Sequence, residues 1–65
     1  MKKKELKSLA KRIADAEYIV QTSTDKKVIN DAKLKIIELS NHAIDLDDIF
    51  TLEEYVAEFL SQKMS

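Results

Sequence analysis

The 65-residue chain contains no glycine, no proline, no cysteine and no tryptophan. The missing cysteines exclude disulfides and thiolate chemistry, and a single histidine without thiols is a poor basis for a structural zinc site. The missing glycines exclude the tight turns of phosphate-binding loops and nucleophile elbows. These absences leave helical patterns without internal breakers, and they point away from an enzyme, a metal ion or a cofactor.

A long apolar run is missing as well. No stretch approaches the roughly 18 uninterrupted apolar residues that a membrane span needs. The basic start Met1–Lys4 resembles that of a signal peptide, but Glu5, Lys7 and Lys11 stand where its apolar core belongs. We therefore expect a cytoplasmic protein that does not use a membrane.

The chain is short for an independent domain, although its 45% hydrophobic and 35% charged residues suit a helical fold. A domain of this size buries only about 60% of the surface that its unfolded form exposes, so its stability is marginal. Small domains with neither disulfides nor zinc rely on efficient helix packing or on oligomerisation. We expect self-association.

The first helix is predicted over about 3–21. Apolar residues follow the helical spacing there: Leu6, Leu9, Ile13, Ala16 and Val20. Tyr18 falls on the polar face, and Ile19 lies beside the apolar stripe. The four short polar residues 22–25 compete with the helical backbone for hydrogen bonds and predict a turn, with Thr24 as the N-cap of the next helix and Ser23 as the alternative.

The second helix is predicted over about 25–41, and it carries two apolar strips. One strip comprises Ile29, Ala32, Ile36, Leu39 and Ala43. The other strip, Leu34 and Ile37, lies well around the helix from the first. A helix with two apolar strips needs two neighbours. It therefore lies either between helices one and three or against another copy of the chain. His42 is expected in its last turn, near the negative end of the helix dipole.

The third helix is predicted over about 46–63, with two competing start signals. Asp45 can cap a helix that begins at Leu46, whereas the stretch Thr51–Glu54 matches a capping box. We favour a break near Thr51, because one continuous helix would turn Phe50 away from the apolar stripe that includes Leu52 and Val56.

Charge is distributed unevenly, with a basic N-terminal end and an acidic C-terminal end. In an up-down-up bundle, helices one and three run parallel, which brings these two ends together. Lys4, Lys7 and Lys11 share one face of the first helix, and Arg12 lies beside them. Such a basic patch can also neutralise phosphates, so a small nucleic-acid-binding regulator is the alternative function.

Three segments carry a resemblance to a known group: residues 6–14, residues 18–25 and Asp45–Ile49. Over these segments the chain resembles small helical proteins of tailed phages that infect cyanobacteria. The resemblance implies a phage origin and the host cytoplasm as location. It implies no activity and no functional residue.

The sequence therefore predicts an all-α protein, a three-helix bundle or a helical hairpin plus a third helix, completed by dimerisation. Its predicted function is a non-catalytic protein–protein interaction module, with no small-molecule substrate. Its partner is a second copy, a host protein or a phage protein. The candidate interface comprises Leu34, Ile37, Ile19, Tyr18 and Tyr55.

Overall fold

The computed structural model describes all 65 residues as three helices without strands: α1 (Lys3–Thr22), α2 (Lys26–Ser40) and α3 (Leu46–Met64). The predicted all-α, three-helix class is confirmed. Each predicted helix end differs from the observed one by at most one residue. Local apolar spacing was sufficient for this, because each helix carries its own buried stripe.

The turn between α1 and α2 is short, and its cap differs from the prediction. Asp25, not Thr24 or Ser23, is the N-cap of α2, and its Oδ1 accepts a hydrogen bond from the Lys27 amide at 2.9 Å. Ser23 ends α1 in an extended conformation, and its hydroxyl oxygen accepts from the Asp25 amide at 3.2 Å. The turn thus satisfies backbone donors on both sides of Thr24 without using the Thr24 side chain.

The break predicted near Thr51 is absent, since α3 is continuous from Leu46 to Met64. Asp45 occupies the N-cap position, although its side chain makes no capping hydrogen bond. Phe50 is consequently 61% exposed instead of lying in the core. A continuous helix keeps the backbone hydrogen bonds that a break near Thr51 would lose. Burial of the Phe50 ring would not have compensated for that loss.

His42 lies beyond the end of α2, in the turn that follows Ser40, and not in the last helical turn as predicted. The amide of His42 donates to the carbonyl of Leu39 at 3.2 Å, and Ala43 donates to Ser40 at the same distance. Asn41, the C-cap residue, keeps a right-handed conformation with φ −69° and ψ −12°. The connection between α2 and α3 therefore needs no left-handed residue.

The helices form a flattened layer in which α1 lies between α2 and α3. Both outer helices pack along α1 and scarcely touch each other. The principal extents of the molecule are 34 × 26 × 15 Å, so one dimension is much shorter than the other two. The possibility that α2 lies between the other two helices is therefore wrong. The alternative, contact of the second strip of α2 with another copy, stays a prediction.

The core is built mainly on α1, which supplies six of the eleven buried residues. Ala10 and Ala14 have no exposed surface, and these small side chains let the outer helices approach α1 closely. Leu6 and Ile13 fill the centre at 4% and 3% exposure. No large side chain is fully enclosed, so this core is about one side chain thick.

Two ion pairs accompany the parallel alignment of α1 and α3. The amino group of Met1 contacts Asp48 Oδ2 at 2.9 Å at one end, and Lys63 Nζ contacts Asp15 Oδ1 at 2.6 Å further along. The hydrogen bond and the charge of Asp48 raise the pKa of the Met1 amine above its ordinary value of 8.0. Basic α1 and acidic α3 do meet at their starts, but through the terminal amine and not through a lysine.

Candidate interaction groove

The open side of the helical layer contains a groove between α2 and α3, with a volume of about 410 Å³. It is defined by nine residues: Ile13, Glu17, Ile36, Ser40, Leu52, Glu53, Val56, Ala57 and Leu60. The first two form its floor on α1, and the others form its walls. The groove exists because α2 and α3 do not close over α1.

The lining of the groove is apolar except for Ser40 and two carboxylates. Glu17 on the floor is half-buried, and Glu53 on the α3 wall is exposed. Neither takes part in a salt bridge, since the two salt bridges of the molecule involve Asp48 and Asp15. The groove thus offers apolar contact together with two carboxylates that no cation of the same chain neutralises.

A second apolar strip on α3 borders this groove. Its members follow a spacing of four and three residues: Leu46, Phe50, Glu53, Ala57, Leu60 and Met64. Residues at this spacing share one helix face, and three of them line the groove itself. Leu46, Phe50 and Met64 are 70%, 61% and 57% exposed. This strip extends the apolar surface along the whole length of α3.

The spacing of the α3 strip was present in the sequence, but it was missed because the predicted break near Thr51 placed Phe50 in the core. Counting the pattern through Thr51 without interruption would have revealed it. Ile44, 84% exposed in the connection before α3, was not among the predicted interface residues either.

Two of the predicted interface residues lie on the other border of the groove. Ile37 follows groove-lining Ile36 by one residue and is 58% exposed, and Leu34 precedes it by one turn at 62% exposure. Since each residue advances a helix by about 100°, Leu34 lies nearly opposite buried Ala32 and points away from α1. Leu34 and Ile37 therefore form one protruding strip on α2.

The other three predicted interface residues do not join this strip. Ile19 lines a shallow depression between α1 and α2 on the opposite face of the layer, together with Val28 and Lys35. Tyr18 is 37% exposed, and Lys63 Nζ lies 5.7 Å from its ring centroid. Tyr55 is half-buried against the core. The structure divides the candidate interface between two faces.

The predicted basic patch lies on the face opposite the groove. Lys4, Lys7, Lys11 and Arg12 are all exposed, and none forms a salt bridge. Lys7 Nζ lies 5.6 Å from the ring centroid of Tyr55, within range of a cation–π contact. Arg12 shares a depression with Lys35 and Asp15, and Asp15 is already paired with Lys63.

A third depression, of about 290 Å³, brings together polar residues that the sequence did not connect. Glu5, Ser8, Arg12 and His42 line it, with Met1 and two leucines. A nucleophile needs a base within hydrogen-bond reach. Neither the Ser8 hydroxyl nor the His42 ring forms a side-chain hydrogen bond. The depression has catalytic residue types without catalytic geometry.

Two further properties bear on the choice of function. No three histidine, aspartate or glutamate side chains lie close enough together to hold a metal ion. None of the helices has the length and apolar content that crossing a membrane demands. Comparison with known proteins found no matching family model, no similar curated protein and no similar solved structure.

Proposed function

We propose that this protein is a non-catalytic, self-associating helical interaction module whose binding surface is the α2–α3 groove with its two apolar borders. One observation carries the proposal: large apolar side chains on α2 and α3 stand exposed on both sides of an open groove. Monomeric proteins seldom expose many large apolar side chains close together, and where they do the surface commonly marks an interaction site.

The dimensions of the molecule support the proposal. The groove opens on one of the two large faces of the layer, which measure 34 × 26 Å. A standard-size interface buries roughly 800 Å² on each partner. One face of this molecule is therefore large enough for a stable interface.

The thin core supports self-association in particular. Only eleven residues are buried, and α2 contributes just two of them. Interfaces of obligate homodimers resemble a domain core cut in half. A second copy would supply the layer that α2 and α3 lack.

Analytical ultracentrifugation of the full chain at micromolar concentration tests the proposal. We expect a dimer for the wild type and a monomer for the double variant Leu34→Lys, Ile37→Glu, with helical circular dichroism unchanged in both. Ile19→Lys is the matched control on the opposite face and should still dimerise. A wild-type monomer of full helicity at this concentration would contradict self-association.

The basic patch supports nucleic-acid binding as a second candidate function, because Lys4 and Lys11 have no partner within the chain. Phosphate contacts make affinity fall steeply with salt. Fluorescence anisotropy with labelled duplex and single-stranded oligonucleotides at low salt tests this function. Lack of binding there would remove it.

A further inference from the structure

We infer that the occupant of the α2–α3 groove is helix α2 of a second copy, seated through Leu34 and Ile37, with Lys33 facing a carboxylate of the groove. The inference rests on the self-association proposed above and specifies its geometry. Three observations lead to it: the charge of the groove, the exposed faces of the three helices, and the position of Lys33.

The charge of the groove restricts which segment can enter it. Glu17 and Glu53 line the groove and have no salt-bridge partner. A segment that covers them takes water away from both carboxylates, which costs free energy unless the segment brings a cation. The occupant must therefore combine apolar side chains with at least one lysine or arginine.

Of the three helices, only α2 presents that combination on an exposed face. The exposed face of α1 is mostly polar, and its two large apolar side chains, Tyr18 and Ile19, are only 37% and 40% exposed. The exposed strip of α3 is apolar, but its charged member is Glu53, which would repel the carboxylates already in the groove. On α2, Leu34 and Ile37 protrude between a lysine on the groove side and Glu38 on the side away from the groove.

That lysine is Lys33, which is exposed and forms no salt bridge. It lies three residues before groove-lining Ile36 and four before Ile37, so it stands on the groove side of α2. Lys35, two residues further on, lies on the opposite face, where it shares a depression with Arg12 and Asp15. A helix α2 placed in the groove of another copy presents Lys33, and not Lys35, to the two carboxylates.

Two-fold symmetry makes this contact reciprocal, because each copy then places its α2 in the groove of the other. The two α2 helices lie side by side at the symmetry axis. If they run parallel, Lys33 faces the end of the groove at Glu17; if they run antiparallel, it faces the end at Glu53. Compensating substitutions therefore report the direction of the helices as well as the contact.

The test measures the dimer dissociation constant of the full chain by sedimentation equilibrium. Lys33→Glu should weaken association by about 10-fold or more, since like charges across an interface are strongly unfavourable. Lys35→Glu is the matched control, with the same charge change in the same helix, and should change the constant by less than about 3-fold. Lys33→Gln, which adds no negative charge, should fall between them.

Rescue completes the test. Lys33→Glu combined with either Glu17→Lys or Glu53→Lys should restore most of the lost affinity, and the rescuing position gives the direction of the helices. Equal effects of Lys33→Glu and Lys35→Glu, or rescue by neither double variant, would overturn the placement of α2 while self-association itself survives. A monomeric wild type would overturn both.

Discussion

At the scale of single residues, capping in the α1–α2 turn depends on which side chain reaches an unpaired amide. Thr24 and Asp25 are both suitable cap residues by type. Only Asp25 stands where its carboxylate meets the Lys27 amide. Two adjacent residues of similar capping propensity therefore differ in their contribution to stability.

Asp25→Ala should lower the free energy of unfolding by about 1 kcal/mol, the usual cost of losing an N-cap side chain. Thr24→Ala is the control and should change it little, since the Thr24 side chain makes no hydrogen bond. Urea unfolding followed by circular dichroism measures both variants. A larger loss for Thr24→Ala would show that threonine caps α2 in solution.

The contact between the Met1 amine and Asp48 predicts a pH dependence. The raised pKa of the amine means that its contribution to stability is complete below pH 8.0 while Asp48 is ionised, and is lost as pH rises through the folded-state pKa. Asp48→Asn should return the pKa of the amine toward 8.0, whereas Asp47→Asn should leave it raised. Titration of the amine by nuclear magnetic resonance distinguishes the two variants.

At the scale of secondary-structure elements, continuity of α3 through Thr51 decides which surface α3 presents. A helix start at Thr51 would turn Phe50 inward, whereas a continuous helix leaves Phe50 in the exposed strip beside the groove. The same residues thus yield either a larger core or an exposed apolar strip. The structure has the second arrangement.

Thr51→Ala tests this continuity. In the interior of a helix, alanine is favoured over threonine by a few tenths of a kcal/mol, so the variant should be as stable as the wild type or slightly more stable. If Thr51 capped a separate helix, the same substitution would cost about 1 kcal/mol. Urea unfolding decides between these results. The Asp25→Ala variant gives the reference value for the decrease in the free energy of unfolding when an N-cap side chain is lost.

At the scale of the whole molecule, α1 acts as the common packing surface for two helices that do not support each other. Small residues make this possible, because Ala10 and Ala14 have no exposed surface between α1 and its neighbours. The open groove is the consequence of this arrangement. Stability and the proposed interaction therefore depend on the same central helix.

Ala14→Leu should lower the free energy of unfolding by about 1–3 kcal/mol, since there is no room for a larger side chain against α1. Ala57→Leu, the same substitution at an exposed position, should leave it nearly unchanged when unfolding is measured at a protein concentration below the dimer dissociation constant. Thermal and urea unfolding of both variants measure the difference. Equal effects would indicate that α1 is packed loosely.

Local patterns in the sequence determined the number of helices, their ends to within a residue, the turn near residues 22–25 and the separation of Leu34 and Ile37 from the main apolar strip of α2. These depend on spacing and hydrogen bonding among neighbours in the chain. Tertiary structure alone decided that α1 is central and that Tyr18 and Ile19 lie away from the groove. Burial depends on which helices pack together. Because α2 and α3 each carry more than one apolar strip, the sequence allows several arrangements of the helices, and the packing against α1 selects one of them.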